Sequence, residues 1–136
     1  MLQRIQSIWL LLASAFAFLT LKFPTYSGTT PEGIPSHQLM GMPDFLLTVV
    51  TVIIGVLALI TIFIYGNRKL QFRLCLLGIL LEIILLVLYY LQISKYIEGN
   101  LALTSIFHAG VLLFYILAAK GIANDDRIIK ESNRLR

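Results

Sequence analysis

Charge is scarce in this chain and cysteine is nearly absent. Only 13% of its 136 residues are charged, against 58% hydrophobic residues and a mean hydropathy of +0.86. A soluble domain of this size could not hide so much apolar surface, because small folds keep a high surface-to-volume ratio. A bilayer must do the hiding. The single cysteine, Cys75, excludes an internal disulfide and cysteine-paired redox chemistry within one chain. Proline is missing from all but one stretch: Pro24, Pro31, Pro35 and Pro43 cluster there with Gly28, Gly33 and Gly41. That stretch reads as an irregular or turn-rich loop. No nucleophile–base arrangement, phosphate loop or zinc spacing is visible, so the expectation is a protein that is not an enzyme and holds no cofactor.

What the chain does have is four apolar stretches, at about 5–23, 45–65, 74–93 and 101–119. Each is long enough to cross about 30 Å of hydrocarbon at about 1.5 Å per residue. Lys22 is the only charge in the first and lies at its end, where its stem can snorkel. The second and fourth carry none, and the third carries Glu82 alone. Nine of the eleven lysines and arginines fall on one side of these spans. They are Arg4, then Arg68, Lys69 and Arg73 in a short basic loop, then Lys120, Arg127, Lys130, Arg134 and Arg136. Only Lys22 and Lys95 fall on the other side. Lys/Arg bias in short loops sets orientation, so both termini and the basic loop are expected in the cytoplasm. Because these cations flank spans and form no surface stripe, nucleic acid is not expected as a partner.

Residues 1–17 also carry features of a cleaved signal peptide: Arg4, the apolar run 8–12, and Ala15-Phe16-Ala17 as a small-residue site. The apolar run continues to Phe23, however, long enough to span, which favours retention. The resulting expectation is an all-α integral membrane four-helix bundle occupying residues 1–123. A cytoplasmic tail, 124–136, follows. There Asn124 would cap a short helix with Asp125 and Asp126 in its first turn.

Helices in lipid associate through small residues and interhelical hydrogen bonds. Helical spacing gives each span such a stripe: Ser7, Ser14 and Ala17; Thr48, Thr51, Gly55 and Ala58; Cys75, Gly78, Glu82 and Tyr89; and Thr104, Ser105, His108, Tyr115 and Ala119. Glu82 stands nine residues inside Arg73, about 14 Å from the basic edge, and His108 stands twelve residues from Lys120, about 18 Å from it. A buried charge at that depth needs a partner, so Glu82 and His108 are expected to meet. Two readings of such a pair stay open. It could relay protons or bind a cation, or it could fix the register of the bundle through a hydrogen bond. The scarcity of polar groups in the first two spans favours the second reading. His37, Met40 and Met42 are soft ligands of the kind that hold Cu(I), but three in six positions is a weak pattern and no metal site is assigned. Two histidines across a bundle could hold haem, yet His37 lies in the loop and His108 stands alone.

The opening Met1-Leu2-Gln3-Arg4-Ile5-Gln6-Ser7-Ile8-Trp9-Leu10-Leu11-Leu12-Ala13 resembles the start of a family of uncharacterised four-span inner-membrane proteins of Bacteroidota. Leu117-Ala118-Ala119-Lys120-Gly121-Ile122, an acidic pair, and Ser132-Asn133-Arg134-Leu135-Arg136 resemble that family's ending. The likeness covers the whole chain in length and layout, and specific residues at the termini. It implies four spans in a bacterial inner membrane, and no activity, because the family is a domain of unknown function. The expected role is a non-enzymatic accessory or scaffold subunit of a larger membrane assembly or homo-oligomer. Its cytoplasmic cations would meet anionic lipid or a partner. The alternative is a small proton- or cation-coupled transporter working through Glu82.

Overall fold

The computed structural model describes residues 2–35, 37–39 and 44–136, with side chains from Ile5 onward. Four helices dominate it: α1 (Leu2–Lys22), α2 (Phe45–Phe63), α3 (Arg68–Ile93) and α4 (Ile106–Arg134). All four are long and apolar enough to cross a membrane. Each packs on its neighbours in the chain, and α1 packs on α4 to close a four-membered ring. The buried faces carry small and weakly polar side chains, including Ser14, Ala17, Thr51, Ala58, Cys75 and Ala119. Large apolar side chains such as Val52, Ile60, Leu80, Ile84, Leu113 and Ile116 point outward. That inversion of the soluble pattern is what a lipid-facing bundle requires, since leucine gains nothing by leaving hydrocarbon.

Three boundaries differ from the sequence expectation. The basic loop is mostly helix. Asn67 caps α3, its Oδ1 accepting the Leu70 N–H at 3.2 Å, and the long unbranched side chains from Arg68 on suit a first helical turn. Arg68, Lys69 and Arg73 therefore ride on α3 and are not loop residues. The fourth helix begins later, at Ile106, after one 3-10 turn at Leu103–Ser105. The tail is not a separate short helix capped by Asn124. Ile106–Arg134 is one unbroken helix of 29 residues, because nothing between Lys120 and Asn124 breaks the backbone ladder and Asp125 is held from outside the helix, as described below.

The all-α expectation also missed a small sheet at the end of the bundle opposite the basic residues. Strands β1 (Tyr26–Thr29), β2 (His37–Leu39) and β3 (Glu98–Leu101) form an antiparallel sheet in the order β2-β1-β3. It ties the α1–α2 connection to the α3–α4 connection. In the central register Gly28 faces Gly99. A Cβ on Gly28 would run into the Glu98 carbonyl oxygen and lie 2.9 Å from Gly99 Cα. Two facing glycines are what let these strands approach. Gly28→Ala is accordingly expected to unpair β3 from β1. Faster amide hydrogen exchange from Glu98 to Leu101, with the helices unaffected, would show it; unchanged protection would refute it.

Candidate functional site

Antiparallel packing sets which residues of α3 and α4 meet. Gly78 lies against Tyr115, and further along α3 the antiparallel partner must come from earlier on α4. That register brings Glu82 to His108. The His108 Nδ1 and Glu82 Oε1 atoms lie 2.9 Å apart, with Glu82 1% and His108 2% exposed. On its other side His108 Nε2 lies 3.3 Å from the hydroxyl of Thr25. The Tyr89 ring, on α3, stands edge-on to the imidazole with centroids 4.8 Å apart.

These contacts limit what the site can do. A carboxylate beside an imidazolium and a carboxylic acid beside a neutral imidazole both have zero net charge. A proton can therefore pass between the partners without leaving an uncompensated charge in a dry interior. In both arrangements Nε2–H donates to the Thr25 hydroxyl oxygen, because the imidazolium carries both ring protons and the neutral ring left when Nδ1 gives its proton to Glu82 keeps the one on Nε2. The Tyr89 hydroxyl is buried with Thr25 as its near neighbour.

Thr25 links this pair to the sheet. Its backbone N–H donates to Leu39 O at 2.8 Å and its carbonyl accepts from Ala102 N–H at 3.0 Å. Pro24 O accepts the Thr104 hydroxyl nearby. Sequence reasoning singled out Glu82 and His108 but missed Thr25, which sits in the proline-rich stretch and carries no periodic signal. Further out, Asp44 caps α2 through the Leu46 N–H and accepts from Gln92 Nε2 at 2.6 Å. His37 Nδ1 lies 2.9 Å from the Tyr96 hydroxyl. These residues border an open cavity of about 560 Å³ together with Glu32 and Lys95. Glu82 and His108 do not line it.

The other sequence candidates gather at the opposite end. Arg68, Lys69 and Arg73 line one cavity with residues of α4. Lys120 is exposed on α4. Beyond it the helix carries i,i+4 pairs, Lys130 with Asp126 at 2.6 Å and Arg127 with Glu131 at 3.1 Å. The Asp126 carboxyl is held below its usual range, first by the Lys130 hydrogen bond, with the charges of Lys130, Lys69 and Arg68 adding to it. Arg134 and Arg136 are exposed. His37 bonds to Tyr96, whereas Met40 and Met42 lie outside the described residues. No group of three or more His, Cys, Asp or Glu among the described residues is placed to hold a metal.

Asp125 behaves otherwise. It is 8% exposed, and its Oδ2 accepts from Gln6 Nε2 of α1, itself 4% exposed. Gln6 offers no periodic clue in sequence beyond a polar residue early in an apolar run. Asp125→Ala leaves the buried Gln6 amide unpaired, a loss of about 1–3 kcal/mol. The variant should fray α4 from Asp125 outward, seen as faster exchange of those amides; equal protection would show that this staple does not hold the helix.

Comparison with known proteins adds one match. A family model described as "Domain of unknown function (DUF4293)" matches residues 2–135. No curated protein and no solved structure matches the chain.

Proposed function

Since the chain belongs to the family described as a domain of unknown function (DUF4293), we propose its role from geometry alone: a non-enzymatic accessory or scaffold subunit of a larger bacterial inner-membrane assembly. In this reading four spans anchor it, both termini face the cytoplasm, and the organism belongs to the Bacteroidota that its terminal segments suggest. The Lys/Arg bias supports the orientation.

The observation that carries the reading is the length and finish of α4. Its 29 residues extend about 43 Å, well beyond about 30 Å of hydrocarbon. The part past Asp126 is exposed throughout, lined with charge, and keeps Ile128 and Ile129 uncovered at 46% and 41% exposure. Its root is stapled to α1 through Gln6 and Asp125. A helix stiffened at its base and left bare at its tip suits a docking arm better than a topology marker, for which Lys120 would suffice. Removing residues 127–136 is expected to reduce recovery of a specific membrane-complex partner at least fivefold in mild-detergent purification, at equal expression. Equal recovery from both forms would overturn the reading.

A second reading, a small proton- or cation-coupled transporter, draws support from the polar sequence Glu82–His108–Thr25 that ends under the outer sheet. Proteoliposomes that acidify with the wild type and not with Glu82→Gln would favour it over the scaffold.

A further inference from the structure

At the end where α3 begins, a cavity of about 260 Å³ opens between α3 and α4. Three cations line it, Arg68, Lys69 and Arg73, against a single carboxylate, Asp126. Phe72 and Ile122 give it apolar lining. The carboxylate is already engaged, since Asp126 Oδ2 is 2.6 Å from Lys130 Nζ. One guanidinium nitrogen, Arg68 Nη1, is sealed from solvent and has no hydrogen-bond partner among the described residues. A buried charged donor without an acceptor is costly, and folds retain such groups where something else completes them. An anion seated in the cleft would complete it once the Arg68 guanidinium turns toward the cavity that its side chain already lines. The same place is the N-terminus of a 26-residue helix, whose dipole and first-turn N–H groups favour negative charge, with Arg68 and Lys69 as its first two residues.

The surroundings say which anion. The cations stand where the apolar outer surface begins: Leu70, Leu76 and Leu77 on α3 are 41–48% exposed. A free inorganic anion has no use for Phe72, Ile122 and that leucine-rich face. A molecule with a phosphate head and hydrocarbon tails uses all of them, and basic pockets between spans on the cytoplasmic side are suited to such headgroups. We propose that the cleft between the start of α3 and the distal part of α4 binds the phosphate of an anionic phospholipid of the inner leaflet, with Arg68 as its buried donor and Lys69 and Arg73 as flanking cations. This rests on the orientation proposed above, in which the basic end faces the cytoplasm, and it is independent of the docking role of the arm.

The test uses the full chain in a mild neutral detergent, titrated with fluorescent phosphatidylglycerol. Wild-type protein should bind it saturably, and phosphatidylcholine should not displace it. Arg68→Gln should weaken binding at least tenfold, while Arg134→Gln, outside the cavity, should stay within twofold of wild type. Phosphatidylglycerol should also raise the melting temperature of the wild type and leave that of Arg68→Gln unmoved. If Arg68→Gln does not fold, the Lys69→Gln/Arg73→Gln variant takes its place with the same expected loss. Equal binding by wild type and cavity variant would overturn the proposal. So would equal losses at Arg68 and Arg134, which would mean diffuse charge, or displacement by inorganic phosphate as effectively as by the lipid, which would mean a free-anion site. Labelling of Lys69→Cys from either side of sealed vesicles reads the orientation separately, so a reversed topology is told apart from an empty cleft.

Discussion

Glu82→Ala is expected to cost the bundle about 3–5 kcal/mol of stability, the usual penalty for stripping one partner from a buried ionisable pair. Glu82 and His108 are both almost fully buried and 2.9 Å apart. Losing the carboxyl leaves Nδ1 of a dry imidazole with nothing to bond, and Thr25 serves only the opposite nitrogen. Two further variants separate the causes. Glu82→Gln keeps an oxygen to accept from His108, so it should cost only about 1 kcal/mol, near the net worth of one hydrogen bond. Replacing both partners with leucine should recover most of the loss, because well-packed apolar side chains often match a buried pair. The cycle should therefore show strong non-additivity, about 0.5–3 kcal/mol of coupling. Reversible unfolding in mixed detergent, followed by circular dichroism, measures all of these. A Glu82→Ala loss below about 0.5 kcal/mol would mean that the pair does not hold the bundle.

How much of this site could be read from the chain depends on what each residue contributes to a pattern. Glu82 interrupts an otherwise uncharged run, and rise per residue puts it at the level of His108 on a neighbouring helix. Thr25 has no such signature. It reaches His108 only because β1 pairs with β3, more than 70 residues away, through the facing glycines Gly28 and Gly99. Periodicity carries no information about pairings of that kind in a stretch rich in proline and glycine. The end of α4 failed for a related reason. Asn124-Asp125-Asp126 has the composition of a helix start, but Gln6 of α1 accommodates Asp125 as an interior position. A tertiary contact overrode a local signal. The apolar stretches themselves were legible because length and hydropathy are local properties, and the buried small-residue faces follow from helical spacing alone.

The second large effect is expected at Gly78, where three helices meet on one side chain. A Cβ added there would lie 2.5 Å from Tyr115 Cζ and closer still to the neighbouring ring carbon. The ring cannot retreat easily. Tyr115 is fully buried, and its hydroxyl donates to the Ile54 carbonyl of α2 at 2.7 Å. Gly78→Ala must therefore part α3 from α4 or break the Tyr115–Ile54 bond, and overpacking of this sort costs about 1–3 kcal/mol. Gly55 makes the natural control. Its added Cβ would lie 2.8 Å from Phe18 Cζ, but Phe18 is 36% exposed and has room to swing outward. Gly55→Ala should be the milder change by at least about 1 kcal/mol. Tyr115→Phe discriminates further. Alone it removes one buried hydrogen bond, about 1 kcal/mol. In the Gly78→Ala background it frees the ring to shift, so its added cost should shrink toward zero. If Gly78→Ala proves no worse than Gly55→Ala in the same unfolding assay, Tyr115 is not the rigid pin that joins α2, α3 and α4.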